Sequence, residues 1–336
     1  MDIARSFELS WNSLKNNKKL LLPSLIYSIL FYIVIFGFLF STGTYSKARE
    51  FTNLLVEHSR NSQDPDYLLK SKVEQDKELG RLLESRGFTF ESIGKFLIDN
   101  LAWIIALVIV MIALAYAKKA AEFLMISDAV QGKKTDARAL LALVPKFSFK
   151  YFLLTLAILF GIISLPIVLV VTIIALSFYI SKIMGLILLL PLAFGSIVYI
   201  IYALTKALFT APIMFLENEG VINSIKKSIQ ATKDKFWMCT LIGSLVLVIM
   251  WIGSYLVQII SMLVTTALRI DYFSLSVPSI LLGIISSILM GIFAIFADLL
   301  LFHLYFQEKR GATIDYPAAG DFYKGKPAER NRRAKA

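Results

Sequence analysis

Glu217–Trp237 reads ENEGVINSIKKSIQATKDKFW, a polar segment set between two long apolar runs. Ile222, Ile225, Ile229 and Phe236 recur at helical spacing, and Lys226, Lys227, Lys233 and Lys235 crowd the remaining surface. A helix with an apolar stripe and a lysine-rich opposite face lies in a membrane–water interface. Its stripe faces hydrocarbon and its cations face anionic headgroups. Two other segments repeat the pattern. In residues 2–19, Ile3, Phe7, Trp11 and Leu14 make the stripe, and Lys15, Lys18 and Lys19 close the polar side. Near residue 140, Leu140, Leu141, Val144 and Phe147 make it, kinked at Pro145. There QGKK, with Lys133 and Lys134, reads as the turn before an N-cap at Thr135.

Each segment leads into apolar chain. Of all residues 57% are hydrophobic and only 18% are charged, and mean hydropathy is +0.70. Soluble domains carry about 25% charged residues, so a soluble class is excluded. A membrane-crossing helix needs roughly 20 apolar residues, and six runs meet that length. They lie near 20–40, 101–117, 151–176, 185–208, 237–267 and 280–306. The expected fold is all-α: a polytopic membrane helical bundle of six transmembrane helices in three hairpins, each preceded by a cytoplasmic-face amphipathic interfacial helix.

Residues 1–306 form the membrane domain on this reading. It includes a charge-balanced external loop at 41–98, broken by DPD at 64–66, helical over Tyr67–Ser85 and capped at Gly87. Residues 307–336 form a basic tail whose Pro, Gly and charge content predicts disorder. The polar N-terminal segment is a poor secretory signal, so the first apolar run is expected to be retained. The formal net charge is +11. Placing both termini in the cytoplasm gathers most Lys and Arg on that side, as the positive-inside rule requires. The expected location is therefore a cell membrane, multi-pass, with the nine lysines Lys15, Lys18, Lys19, Lys133, Lys134, Lys226, Lys227, Lys233 and Lys235 meeting anionic lipid headgroups. No basic patch with interleaved aromatics falls in a soluble domain, which argues against nucleic acid.

Signals for chemistry are sparse. Cys239 is the sole cysteine, and His58 and His303 are the only histidines; no cofactor or metal set follows from them. GxSxG, HExxH, P-loop and strand-borne GxGxxG patterns are all missing, so no catalytic residues are expected and the chain reads as a non-enzyme. Charges inside apolar runs are expensive. Asp298 in GIFAIFADLLLFHLYF and Lys206 in IYALTKALFT lie at similar depth, and the expectation is that they pair. Gly283, Ser287 and Gly291 mark a face of the last span for close helix packing. Pro166 and Pro191 sit inside the third and fourth spans.

IARSFELSWNSLKNNKKLLLPSL at the N-terminus, DAVQGKKTDARAL at 128–140 and APIMFLENEGVINSIKKSIQATKDKFW at 211–237 together resemble a group of six-helix integral membrane proteins. That group includes the membrane domain attached to some glycerophosphodiester phosphodiesterases and related uncharacterised bacterial and archaeal proteins. The resemblance, spanning residues 1–306, implies the six-helix architecture. It brings no shared activity and no active site, and the soluble phosphodiesterase domain is absent from this sequence. The chain also resembles itself. Ser6, Ser10 and Lys15 match Ser224, Ser228 and Lys233 at a constant offset of 218 residues, which suggests three repeats of interfacial helix plus hairpin. The reading of function is a protein that organises or senses the bilayer or scaffolds a membrane complex, with a membrane-protein partner or a second copy of itself. The alternative is a permease for a lipid-like solute.

Overall fold

The fold is that of a computed structural model, which describes residues 2–61, 72–133, 137–179, 182–268 and 277–310. Among these residues every regular element is helical. The described residues form twelve α-helices: α1 Ile3–Asn16, α2 Leu22–Ser41, α3 Tyr45–Asn61, α4 Lys72–Ser85, α5 Phe90–Asp99, α6 Leu101–Val130, α7 Ala137–Tyr179, α8 Lys182–Ala207, α9 Thr210–Leu216, α10 Val221–Ala231, α11 Phe236–Leu268 and α12 Val277–Arg310. A 3-10 turn, Lys18–Leu21, joins α1 to α2. The DPD break, the N-cap at Thr135, Lys134 and the tail beyond Arg310 lie outside the described residues.

Among the described residues six segments are long and apolar enough to cross a membrane: Lys18–Ser41, Leu101–Val130, Ala142–Thr172, Pro191–Leu216, Phe236–Ala267 and Val277–Lys309. The protein is a multi-pass membrane protein. Its helices exceed what crossing requires. With 33 residues α11 is about 50 Å long, and with 43 residues α7 is about 65 Å, against roughly 30 Å of hydrocarbon.

Three boundaries differ from the sequence reading. Lys118 and Lys119 do not end the second span; α6 continues through AAEFLMISDAV to a turn at Gly132, whose φ of 68° suits a residue without Cβ. Residues 120 and 122–127 are buried protein interior rather than a cytoplasmic loop. The amphipathic segment near 140 is not a separate helix, since α7 runs unbroken through both Pro145 and Pro166. Finally, α12 extends to Arg310, past the expected start of the tail.

The chain divides into two compact units. The first comprises Met1–Leu22, Tyr116–Ile252 and Ile292–Ala336. Its apolar core joins Leu20, Phe123, Ile126, Phe147, Leu154, Met214, Phe215, Ile295, Leu299 and Phe302. An adjoining cluster holds Phe209, Ile213, Cys239, Ile242, Leu300 and Leu304. Aromatic edges lock the first cluster: Phe123 meets Tyr151, Phe215 and Phe302 with ring centroids 5.1–5.5 Å apart. Within this unit α7 and α8 pair as a hairpin, where the Tyr199 hydroxyl donates to the Gly161 carbonyl at 2.7 Å.

The second unit comprises Pro23–Ala115 and Gly253–Gly291. Small residues bring its helices together. Ser24, Ser28 and Tyr32 on α2 meet Gly291, Ser287 and Gly283 on α12, a run of i, i+4 positions on both sides. The oxygens of Ser28 and Ser287 are 2.8 Å apart, and Ser261 on α11 is 2.8 Å from Ser286. This is the close packing that Gly283, Ser287 and Gly291 predict, because lipid offers no hydrophobic drive between helices and backbone proximity must supply the contact. Helix α4 ends at a left-handed Gly87 as expected. The chain then re-enters helix through a capping box at Thr89 and Ser92. Thus Phe90–Asp99 is a helix of its own, α5, ahead of α6.

Candidate functional site

Two charge clusters organise the first unit. In the first, Lys119 on α6 bonds Asp298 on α12 at 2.5 Å and reaches Glu122 at 3.4 Å, while Lys118 approaches Glu122 at 3.7 Å. Glu122 is 1% exposed and Asp298 16%. The expected Asp298–Lys206 pair does not form. Lys206 donates instead to the Thr232 carbonyl at 3.3 Å and lies over the rings of Tyr202 and Phe236. Both lysines lie within membrane-crossing segments, Leu101–Val130 and Pro191–Leu216, and the packing of α6 against α12 selects Lys119. Sequence reasoning missed Glu122 altogether. Its signal was AAEFLMI, which stays apolar after the two lysines and so continues the helix.

The second cluster centres on Glu217, at the end of α9. Its carboxylate accepts from Lys227 at 2.7 Å, Lys309 at 2.9 Å and the Tyr305 hydroxyl at 2.5 Å. Lys227 also holds Glu219 at 2.6 Å. Partial burial pushes the Glu217 carboxyl up, but the three donors outweigh it and hold the group down at about 2. The hydrogen bond from Lys227 lowers Glu219, and Glu217 in turn raises Lys227. A carboxyl held below its ordinary 4.5 stabilises the fold fully above that pH and loses the contribution as pH falls from about 4.5 to about 2. For Glu217 the contribution is about 3 kcal/mol. Stability measured from pH 6 to pH 2 is expected to decline by that amount more in the wild type than in Glu217→Gln, whose loss is already taken at pH 6. Parallel profiles would refute the role of Glu217.

The lysines expected to meet headgroups therefore divide. Lys227 is committed to Glu217 and Glu219, and Lys235 pairs with Glu308. Lys15, Lys18, Lys19, Lys226 and Lys233 are exposed and make no ion pair among the described residues. Lys133 is exposed and borders, with Gln131, Tyr305, Phe306 and Lys309, a polar cavity of about 430 Å³. His303 sits five residues after Asp298 on α12. It is buried, with Nε2 3.1 Å from Ser13 Oγ of α1.

Helices α1 and α10 show the same inversion. In α1 the buried residues are Ser6, Ser10 and Ser13, while Phe7 is 45% and Trp11 57% exposed. In α10 they are Ser224 and Ser228, while Ile222 is 67% and Ile229 44% exposed. Ser228 donates to the Lys206 carbonyl at 2.7 Å and accepts from the Phe209 amide at 3.2 Å. The matched serines of the 218-residue offset are thus the seats of both helices, while Phe7, Trp11, Ile222 and Ile229 are exposed and Ile3, Leu14 and Ile225 pack partly against the core. A soluble amphipathic helix does the reverse. Beside α1, Phe7, Trp11, Leu14, Ile249, Ile252, Ile292, Phe293 and Phe296 bound an apolar groove of about 540 Å³, with Glu8 at its edge.

A family model for a family of unknown function, DUF7544, matches residues 12–307. The chain belongs to that family. No curated protein and no solved structure matches it. The DUF7544 match runs from late in α1 to near the end of α12; it takes in the Lys119–Asp298 cluster and α10, leaves out Ser6, Ser10 and Lys309, and carries no assigned activity.

Proposed function

We propose that this DUF7544 protein organises or senses the lipid bilayer, acting without catalysis through α1 and α10 as interfacial helices with both termini in the cytoplasm. The observation that carries the reading is the inversion of these two helices. Exposed Phe7, Trp11, Ile222 and Ile229 are stable against hydrocarbon and unfavourable against water, and Lys15, Lys18, Lys19, Lys226 and Lys233 are left for headgroup phosphates. A membrane-protein partner or a second copy of the chain is part of the proposal, as is kinship with the membrane domain attached to glycerophosphodiester phosphodiesterases.

Anionic lipid retained through gentle purification, measured by mass spectrometry, tests it. Each exposed lysine near an anionic surface is worth about 1 kcal/mol, so Lys226→Gln with Lys233→Gln is expected to reduce retention roughly 10- to 30-fold. Lys227→Gln is expected to act through stability instead, because its charge is already neutralised within the protein. Unchanged retention in the Lys226/Lys233 double variant overturns the reading. The permease alternative gains little support. Asp298 is closed by Lys119, neither Asp298 nor Lys206 lines the grooves described above, and α7 and α8 continue through Pro166 and Pro191.

A further inference from the structure

The groove beside α1 has one polar residue on its edge, Glu8, and otherwise only apolar walls. Water in such a space would need two to four polar partners, which the walls do not supply. A peptide would bring backbone donors and acceptors with nothing to pair them. Two of the three walls, Ile249 and Ile252 on α11 and Ile292, Phe293 and Phe296 on α12, belong to membrane-crossing segments, so the phase at the groove is hydrocarbon. The third wall is aromatic. Phe7 stands edge-on to Phe296 at 4.8 Å and Trp11 at 6.3 Å, so α1 contributes aromatic rings to one side of the groove while its serines seat it on the protein. At about 540 Å³ the space falls within the roughly 300–1,000 Å³ of pockets that enclose small ligands. Beyond Leu14, at the C-terminal end of α1, come the exposed cations Lys15, Lys18 and Lys19.

From these features we infer that the groove is a binding site for one acyl chain of a phospholipid, whose phosphate is met by the lysines that follow α1. The inference rests on the interfacial placement of α1 and deepens it. A chain seated there makes α1 a lipid-gripping element, where exposure alone would make it only a lipid-facing one. An unbranched acyl chain suits the site because it fills an irregular apolar slot and leaves no polar group unpaired.

Trp11 forms part of the wall and serves as the reporter. In the full chain with Trp103→Phe, Trp237→Phe and Trp251→Phe, emission from Trp11 is followed in detergent micelles as phosphatidylglycerol carrying mid-chain bromine is added. Contact quenching is expected to saturate near one lipid per protein. Filling the slot with Ile249→Phe and Ile292→Phe is expected to weaken the saturable phase at least five-fold. Continued protection of buried Cys239 from a thiol reagent shows that the filled variant is folded, and Ile292→Phe alone serves if the double variant is not. Quenching that rises in proportion to lipid without saturating overturns the groove and leaves α1 interfacial. Saturation that the filled variants do not alter places the site elsewhere and also overturns it. No quenching at all overturns both.

Discussion

Replacing Lys119 with methionine is expected to destabilise the first unit by about 3–5 kcal/mol, the usual consequence of removing one member of a buried charge set. The ammonium is the closest partner of Asp298 and a second partner of Glu122, which is 1% exposed. Without it the Glu122 and Asp298 carboxylates lose their shared partner across α6 and α12, and Lys118 still approaches Glu122 at 3.7 Å. Asp298→Asn is expected to be milder, about 1–2 kcal/mol, because Lys119 keeps Glu122 and the amide keeps a hydrogen bond. Lys119→Met combined with Asp298→Leu is expected to recover most of the loss, since a well-packed apolar pair often equals a buried ion pair. Cys239 provides the readout. It is the only cysteine and is fully buried in the same unit. Its modification rate is expected to rise about 100- to 4,000-fold in Lys119→Met, at tenfold per 1.4 kcal/mol. A rate within threefold of wild type would show that the cluster contributes nothing to stability.

A second large effect is expected where α2 meets α12. A Cβ on residue 291 would stand 2.6 Å from Ser24 Oγ and 3.0 Å from Ser24 Cβ, and one on residue 283 would run into the Tyr32 hydroxyl. Gly291→Leu therefore forces the two helices apart and also loosens the contact of Ser28 with Ser287. The cost is about 3 kcal/mol, at the upper end for overpacking. Gly291→Ala costs about 1 kcal/mol, because the serine hydroxyl can turn away. Adding Ser24→Ala is expected to relieve Gly291→Ala and to leave Gly291→Leu unrelieved, since the longer side chain still meets α2. Thermal unfolding of the four proteins in detergent checks this ordering. Equal midpoints for Gly291→Leu and wild type would mean that α2 and α12 are not in close contact.

Much of the architecture was legible because crossing a bilayer is a demanding condition. Backbone groups without water must bond within the helix, and only long apolar runs satisfy that, so six spans follow from hydropathy alone. Proline was less informative. Pro145 suggested a kink in a separate amphipathic helix, yet α7 is one helix through both Pro145 and Pro166, as neighbouring structure in a membrane protein can absorb the lost hydrogen bond. The small-residue face of α12 was legible for a related reason: Gly283, Ser287 and Gly291 recur every four residues, and close approach is the contact they permit.

The charged partners were not legible. Lys119 and Lys206 have nearly the same local setting, and the choice between them belongs to which helix lies beside α12, a contact between residues 179 positions apart in the chain. The same holds for Lys227 and Lys235. In a helical projection both are surface cations, but Glu217 and Glu308 reach them from other elements.

What the sequence determined by itself is the class, the six crossings, the positions of the amphipathic segments and the serine match between the first and the third. What only the tertiary structure decided is which way those segments turn. Hydrophobic patterning identifies a stripe but not the phase it faces. In Glu217–Trp237 and its N-terminal counterpart, Ser224 and Ser228, like Ser6 and Ser10, go inward because small side chains let the backbones meet. Phe7, Trp11, Ile222 and Ile229 are left exposed because the surroundings of a membrane protein are themselves apolar, whereas Ile3 and Ile225 pack partly against the core.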